Sequence, residues 1–143
     1  LVKLIRLSHL TGNYLYEKRA EELIISFTGE VKLSPVSYCF FLVGLESFIL
    51  PYYDLIIMGG DNREEIKEIL KLLRNEYRPD VSVLFIPESR ADSDYKELIK
   101  LTNFMKEYQR IDNKTTVYIC RDYTCQLPVR TAVEVKRVLS KKK

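Results

Sequence analysis

Two thiols stand close together in YICRDYTCQLPV, residues 118 to 129, directly after a β-branched run. Cys120 and Cys125 have four residues between them. Thiols at such a distance can close a disulfide, exchange it with another thiol, or share a metal. The spacing is not the C-x-x-C of thioredoxin-type redox pairs. A zinc site would need two more ligands; Cys39 lies in an apolar helical run, His9 is far away in sequence, and no second pair exists. No metal and no cofactor is therefore expected. Three states remain open: a reduced structural pair, a disulfide, which needs Cα atoms within about 7 Å, and a redox-active pair whose thiol pKa Arg121 would lower. His9 has no partner legible from its neighbours, and a general base must lie within reach of its nucleophile. It is read as a cation at a helix end, where the dipole favours it.

A second candidate is Met58-Gly59-Gly60-Asp61, followed by Asn62, where an apolar run hands over to a helical pattern. Free backbone N–H groups and the helix dipole can hold an anion at such a place. The glycines match neither G-x-G-x-x-G nor a P-loop with its lysine. A tight turn is the expected role of Gly59, Gly60, Asp61 and Asn62, with phosphate or nucleotide binding as the alternative. Tyr38 and the Tyr52-Tyr53 pair could stack on a ligand such as a sugar; packing where helices meet a sheet is the expected use.

The elements that must position these residues follow from periodicity. Leu1, Leu4 and Ile5 have helical spacing and stop at Leu10-Thr11-Gly12-Asn13. Tyr16, Ala20, Leu23, Ile24 and Phe27 mark a second helix, expected to end at Thr28-Gly29. Ser34 as cap and Pro35 at the first helical position open a third, running to about Leu50 and apolar nearly all round. A helix with no polar face must be covered on several sides.

At Pro51 the period changes. The runs 54–58, 81–86 and 115–119 read as strands. Between and after them lie helical patterns with Ile66, Ile69 and Leu73, then Leu98, Leu101, Met105 and Tyr108, then a capping box of Thr131 and Glu134 opening a helix to about Leu139. The predicted fold class is α/β: about three N-terminal helices, then a three-stranded parallel sheet with alternating helices. Residues 1–50 form the helical region and 51–143 a small α/β unit.

Composition narrows the function further. The 143 residues carry a net charge of +3, with the basic excess concentrated in Lys141, Lys142 and Lys143. Basic residues spread over a face with aromatics between them, the footprint of nucleic-acid binding, are absent. No run reaches the roughly 18 apolar residues of a membrane span. Three cysteines do not make a disulfide scaffold, so a reducing cytoplasm is the expected compartment. The chain opens on Leu1 already in helical rhythm, as a fragment would.

Leu4-Ile5-Arg6-Leu7, Thr11-Gly12-Asn13 and Tyr16-Glu17-Lys18-Arg19-Ala20-Glu21, with the later YDLIIMGG and YICRDYTCQLPV, resemble the C-terminal end of the spermatogenesis-associated, thioredoxin-domain-containing family. The resemblance implies a thioredoxin-like domain upstream, then a six-hairpin α/α toroid related to N-acylglucosamine 2-epimerases and glycosidases, of which residues 1–50 would be the end. Cys120, Cys125, Gln126 and Pro128 are the motif residues it carries over. It implies a C-terminal module that is non-catalytic alone, in a family described as redox- or carbohydrate-related only by analogy of fold. The expected partner of the apolar helix 35–50 is the upstream part of the same protein or a second copy of the chain.

Overall fold

The computed structural model describes residues 1–60, 62–87, 93–121 and 124–140. Helix α1 (Val2–Thr11) ends where Gly12 turns left-handed at φ 66°, its N–H bonded to Ser8 O. That conformation is cheap for glycine. Helix α2 (Tyr14–Leu33) is capped by the Asn13 side chain, which accepts from Leu15 N–H. It does not stop at Thr28-Gly29 as expected. Gly29 keeps negative φ, and the Thr28 hydroxyl bonds back to Ile24 O within the helix. Pro35 lies just beyond the end, and the residue before a proline disfavours the helical region. A 3-10 turn (Pro35–Tyr38) leads into α3 (Cys39–Ile49), which packs on α1 where Gly44 meets Leu1 and Val2.

The α/β part comprises β1 (Tyr53–Met58), α4 (Arg63–Asn75), β2 (Val81–Ile86), α5 (Ser93–Leu101), a 3-10 turn (Asn103–Glu107), β3 (Thr116–Arg121), β4 (Thr124–Cys125) and α6 (Ala132–Leu139). Asn62 caps α4 by accepting from Glu64 N–H. Thr131 and Glu134 form the expected capping box on α6.

The sheet is four-stranded in the order β2-β1-β3-β4. Strands β1 and β2 are parallel, as expected. The expectation of an all-parallel, three-stranded sheet is corrected at β3, which runs antiparallel to β1 with Met58 opposite Thr116 and Tyr53 opposite Arg121. The cause is the net travel of the 86–116 connection. Helix α5 and the 3-10 turn carry the chain back along the sheet to Tyr108, whose hydroxyl reaches Cys125 at the far end. The chain then climbs again before β3 begins: Tyr118 donates to Gln109 O, and Ile111 N–H to Thr116 Oγ1. A crossover that goes down and returns delivers the next strand antiparallel.

Alternation along the strands sorts two cores. Leu55, Ile57, Val117 and Ile119 face α4 and α6, packing on Ile69, Val135 and Val138. Ile56, Met58, Ile86 and Cys120 face the other way, against Leu98, Met105 and Tyr108. The N-terminal helices close a third cluster of Ile5, Ala20 and Tyr52, which sets α1 against the strand heads. Among the described residues no helix is long and apolar enough to cross a membrane.

Candidate functional site

Asp54 is the second residue of β1 and points to the Cys120 side of the sheet. A carboxylate there must find partners, because a half-buried charge without them is costly. It finds two. His9, in the last turn of α1, donates from Nδ1 to Asp54 Oδ2 at 3.0 Å. Ser82, on β2 opposite Asp54, donates from Oγ to the other carboxylate oxygen. The His9 side chain is 12% exposed and that of Asp54 13%. The imidazole stacks on Tyr52 with centroids 4.3 Å apart. Three elements thus hold one imidazole in place, and a carboxylate on Nδ1 fixes which nitrogen carries the proton. This is not a Ser-His-Asp triad: the serine donates to the carboxylate rather than to the histidine, so it is not activated as a nucleophile. An oriented imidazole can still take and return protons.

The sulfurs lie next to Asp54, on the neighbouring strand β3 and on β4. Cys120 and Cys125 pair in register across β3 and β4 and are joined by a disulfide. Cys120 is buried at 4% exposure, whereas Cys125 is exposed. Tyr108 Oη lies 3.0 Å from Cys125 Sγ and 3.5 Å from Cys120 Sγ. A disulfide sulfur has no hydrogen, so the phenol donates. Burial pushes the Tyr108 hydroxyl above its ordinary pKa, and the carboxylates of Glu107 and Asp54 add to the rise, so it stays a donor. Tyr118 holds the ring edge-on at 4.7 Å. His9, Asp54, Ser82, Tyr108 and both cysteines line one cavity of about 500 Å³.

The other sequence candidates fall elsewhere. Gln126 N–H bonds Ile119 O, extending the β4 edge, and Pro128 precedes the Val129–Val117 bridge. A Cβ on Gly60 would stand 2.4 Å from Thr115 N, and one on Gly59 would touch the Phe85 ring, so neighbouring chain fills the space beside both glycines. Asn62 spends its side chain on the α4 cap; Asp61 lies outside the described residues. Tyr38 packs on Phe27 and Phe41. Cys39 is a free, exposed thiol. Among the described residues no group of three His, Cys, Asp or Glu is placed to hold a metal ion. A larger open cavity, about 720 Å³, includes Arg78 and Asp80, but these are committed to each other at 2.6 Å. That pairing holds the Asp80 carboxyl below its usual range.

Sequence reasoning missed Asp54, Ser82 and Tyr108, and found no partner for His9. The available signal was Asp54 itself, an acid at the head of an apolar strand. Its partners are 45 residues before it and 28 after, beyond any local pattern.

Asp54→Ala removes the acceptor of both His9 and Ser82. Leaving buried donors unpaired costs about 1–3 kcal/mol, so a loss near 2 kcal/mol is expected in urea denaturation. Asp54→Asn, which keeps one acceptor oxygen, should lose less. An unchanged midpoint for Asp54→Ala would contradict the network.

The chain is 23% identical over 137 residues to spermatogenesis-associated protein 20 of Rattus norvegicus, and 21% identical over 137 residues to that of Homo sapiens. Each match covers 95% of this chain but 17% of the relative. The chain therefore spans about a sixth of the length of these curated relatives, to which it is distantly similar. The matched length takes in most of the helices, the sheet and the cavity. No family model matches the chain, and no solved structure does.

Proposed function

We propose that the chain is a module, non-catalytic alone, of a longer protein similar to spermatogenesis-associated protein 20. It packs against the preceding helical toroid of that longer protein through the apolar segment 35–50, the 3-10 turn and α3. The observation that carries this reading is the bareness of that segment. Val36 is 85% exposed, Phe40 77% and Ile49 68%, with Leu33 and Ile25 similarly open. Leu33, Val36 and Phe40 fall within eight residues around the 3-10 turn, and exposed apolar side chains grouped in this way mark an interface. The similarity to about a sixth of much longer relatives supports a covering partner within the same polypeptide.

Cys39 lies at the start of α3 and reports on this segment. In the isolated 143-residue chain it should alkylate fast. In the complete reading frame that encodes the chain it should react about tenfold or more slowly, as a covered thiol does. Val36→Asp with Phe40→Asp should restore the fast rate. Equal rates in both proteins would retire the reading. A concentration-dependent dimer of the isolated chain, abolished by Phe40→Asp, would make a second copy the occupant instead.

A second reading is favoured by one observation. The Cys120–Cys125 disulfide forms part of the wall of a cavity that also holds an oriented imidazole. That arrangement supports a thiol–disulfide-active module.

A further inference from the structure

The inference rests on this second reading. We propose that the cavity accepts a thiol and exchanges it with the Cys120–Cys125 disulfide by attack at Cys125 Sγ, with His9 as proton acceptor and Tyr108 as hydrogen-bond donor to the departing sulfur.

The choice of sulfur follows from burial. Exchange needs a thiolate to reach a sulfur in line with the S–S bond. Cys120 is on the core side of β3, packed with Ile56, Met58 and Met105. Cys125 is on the short outer strand β4 and exposed. Attack at Cys125 makes Cys120 the leaving group. Asp54 faces Cys120 across the β1–β3 pair, so a bare thiolate at Cys120 would meet a carboxylate of like charge. Tyr108 Oη, 3.5 Å from Cys120 Sγ, offsets that by donating to the sulfur as charge develops.

The thiol R–SH gives its proton to His9, whose Nδ1 is held by Asp54. The thiolate forms an R–S bond to Cys125 Sγ as the Cys120–Cys125 bond breaks. The proton on His9 returns to Cys120, leaving a mixed disulfide at Cys125 and a neutral thiol at Cys120. A second thiol attacks the mixed disulfide, releasing R–S–S–R and the Cys125 thiol. Two thiols are oxidised and one disulfide is reduced, with no other oxidant or reductant. The substrate class is a thiol; the cavity of about 500 Å³ admits a small-molecule thiol or the side chain of an exposed protein cysteine.

Glutathione is the probe, in a Cys39→Ser background so that the exposed thiol does not react. After acid quench and alkylation of the denatured protein, peptide mass spectrometry should find glutathione on Cys125 and the alkyl group on Cys120. His9→Gln and Tyr108→Phe should each slow the exchange by about tenfold or more, a threshold set below the roughly 10²–10⁴-fold typical of positioned acid–base groups. Leu127→Ala, outside the cavity, should leave the rate unchanged. Far-UV circular dichroism checks that each variant is folded; the position of the adduct needs no variant of the site. Glutathione on Cys120, or unaltered rates in both variants, overturns the inference and leaves the thiol reading standing. Exchange only at the rate of global unfolding removes that reading as well. Reduced thioredoxin in place of glutathione distinguishes a protein thiol from a small one.

Discussion

Gly60→Ala is expected to destabilise the protein by about 3 kcal/mol, the upper range for forcing a methylene into a packed site. The expectation runs against the usual effect. Gly60 has no positive φ, and alanine at such a position commonly stabilises by restricting the unfolded chain. Here the added carbon would lie 2.4 Å from Thr115 N and 2.6 Å from Lys114 C. These are backbone atoms at the start of β3 and cannot rotate away. They lie beside Gly60 only because β3 begins next to the end of β1, with Met58 opposite Thr116. In a parallel arrangement Thr115 would lie at the other end of β1 and the substitution would be harmless. A urea midpoint for Gly60→Ala equal to or above the parent would therefore count against the antiparallel pairing itself.

Leu55→Ala should cost about 3–4 kcal/mol, within the range for large-to-alanine changes in cores. Leu55 is fully buried on the central strand and belongs to the cluster that includes Ile69 of α4 and Val135 of α6. It lies between two hydrogen-bonded strands, so the backbone has little room to collapse into the cavity left behind. Val133→Ala, on the exposed side of α6, is the control and should stay within about 0.5 kcal/mol. A Leu55→Ala loss below about 1 kcal/mol would mean that this layer is not the core.

Local physics made most elements legible. The run Val81–Ile86 and the Thr131–Glu134 capping box stand where composition and spacing put them, and Gly12 ends α1 as its left-handed freedom allows. Thr28-Gly29 misled because a stop signal is only a preference. With no neighbour near Gly29 and Pro35 a few residues on, α2 continues to Leu33. The direction of β3 was not legible, because alternation fixes the order of elements but not the net travel of the chain between them. A segment from Tyr108 to Lys114 with little hydrophobic rhythm decides it. The site was half legible: Cys120 and Cys125 announced themselves by spacing, with their state open. His9 reaches Asp54 only through tertiary packing of α1 on the strand heads, so the imidazole and the disulfide could not be placed in one cavity from the sequence.

The bond between Cys120 and Cys125 underlies the candidate site, and it can be tested directly. The chain, purified without reductant and unfolded in denaturant with iodoacetamide, should take one alkyl group, at Cys39. Its digest should contain Cys120 and Cys125 joined and lighter by two hydrogens than the reduced pair. Three alkylated cysteines under those conditions would contradict the disulfide and with it the exchange chemistry.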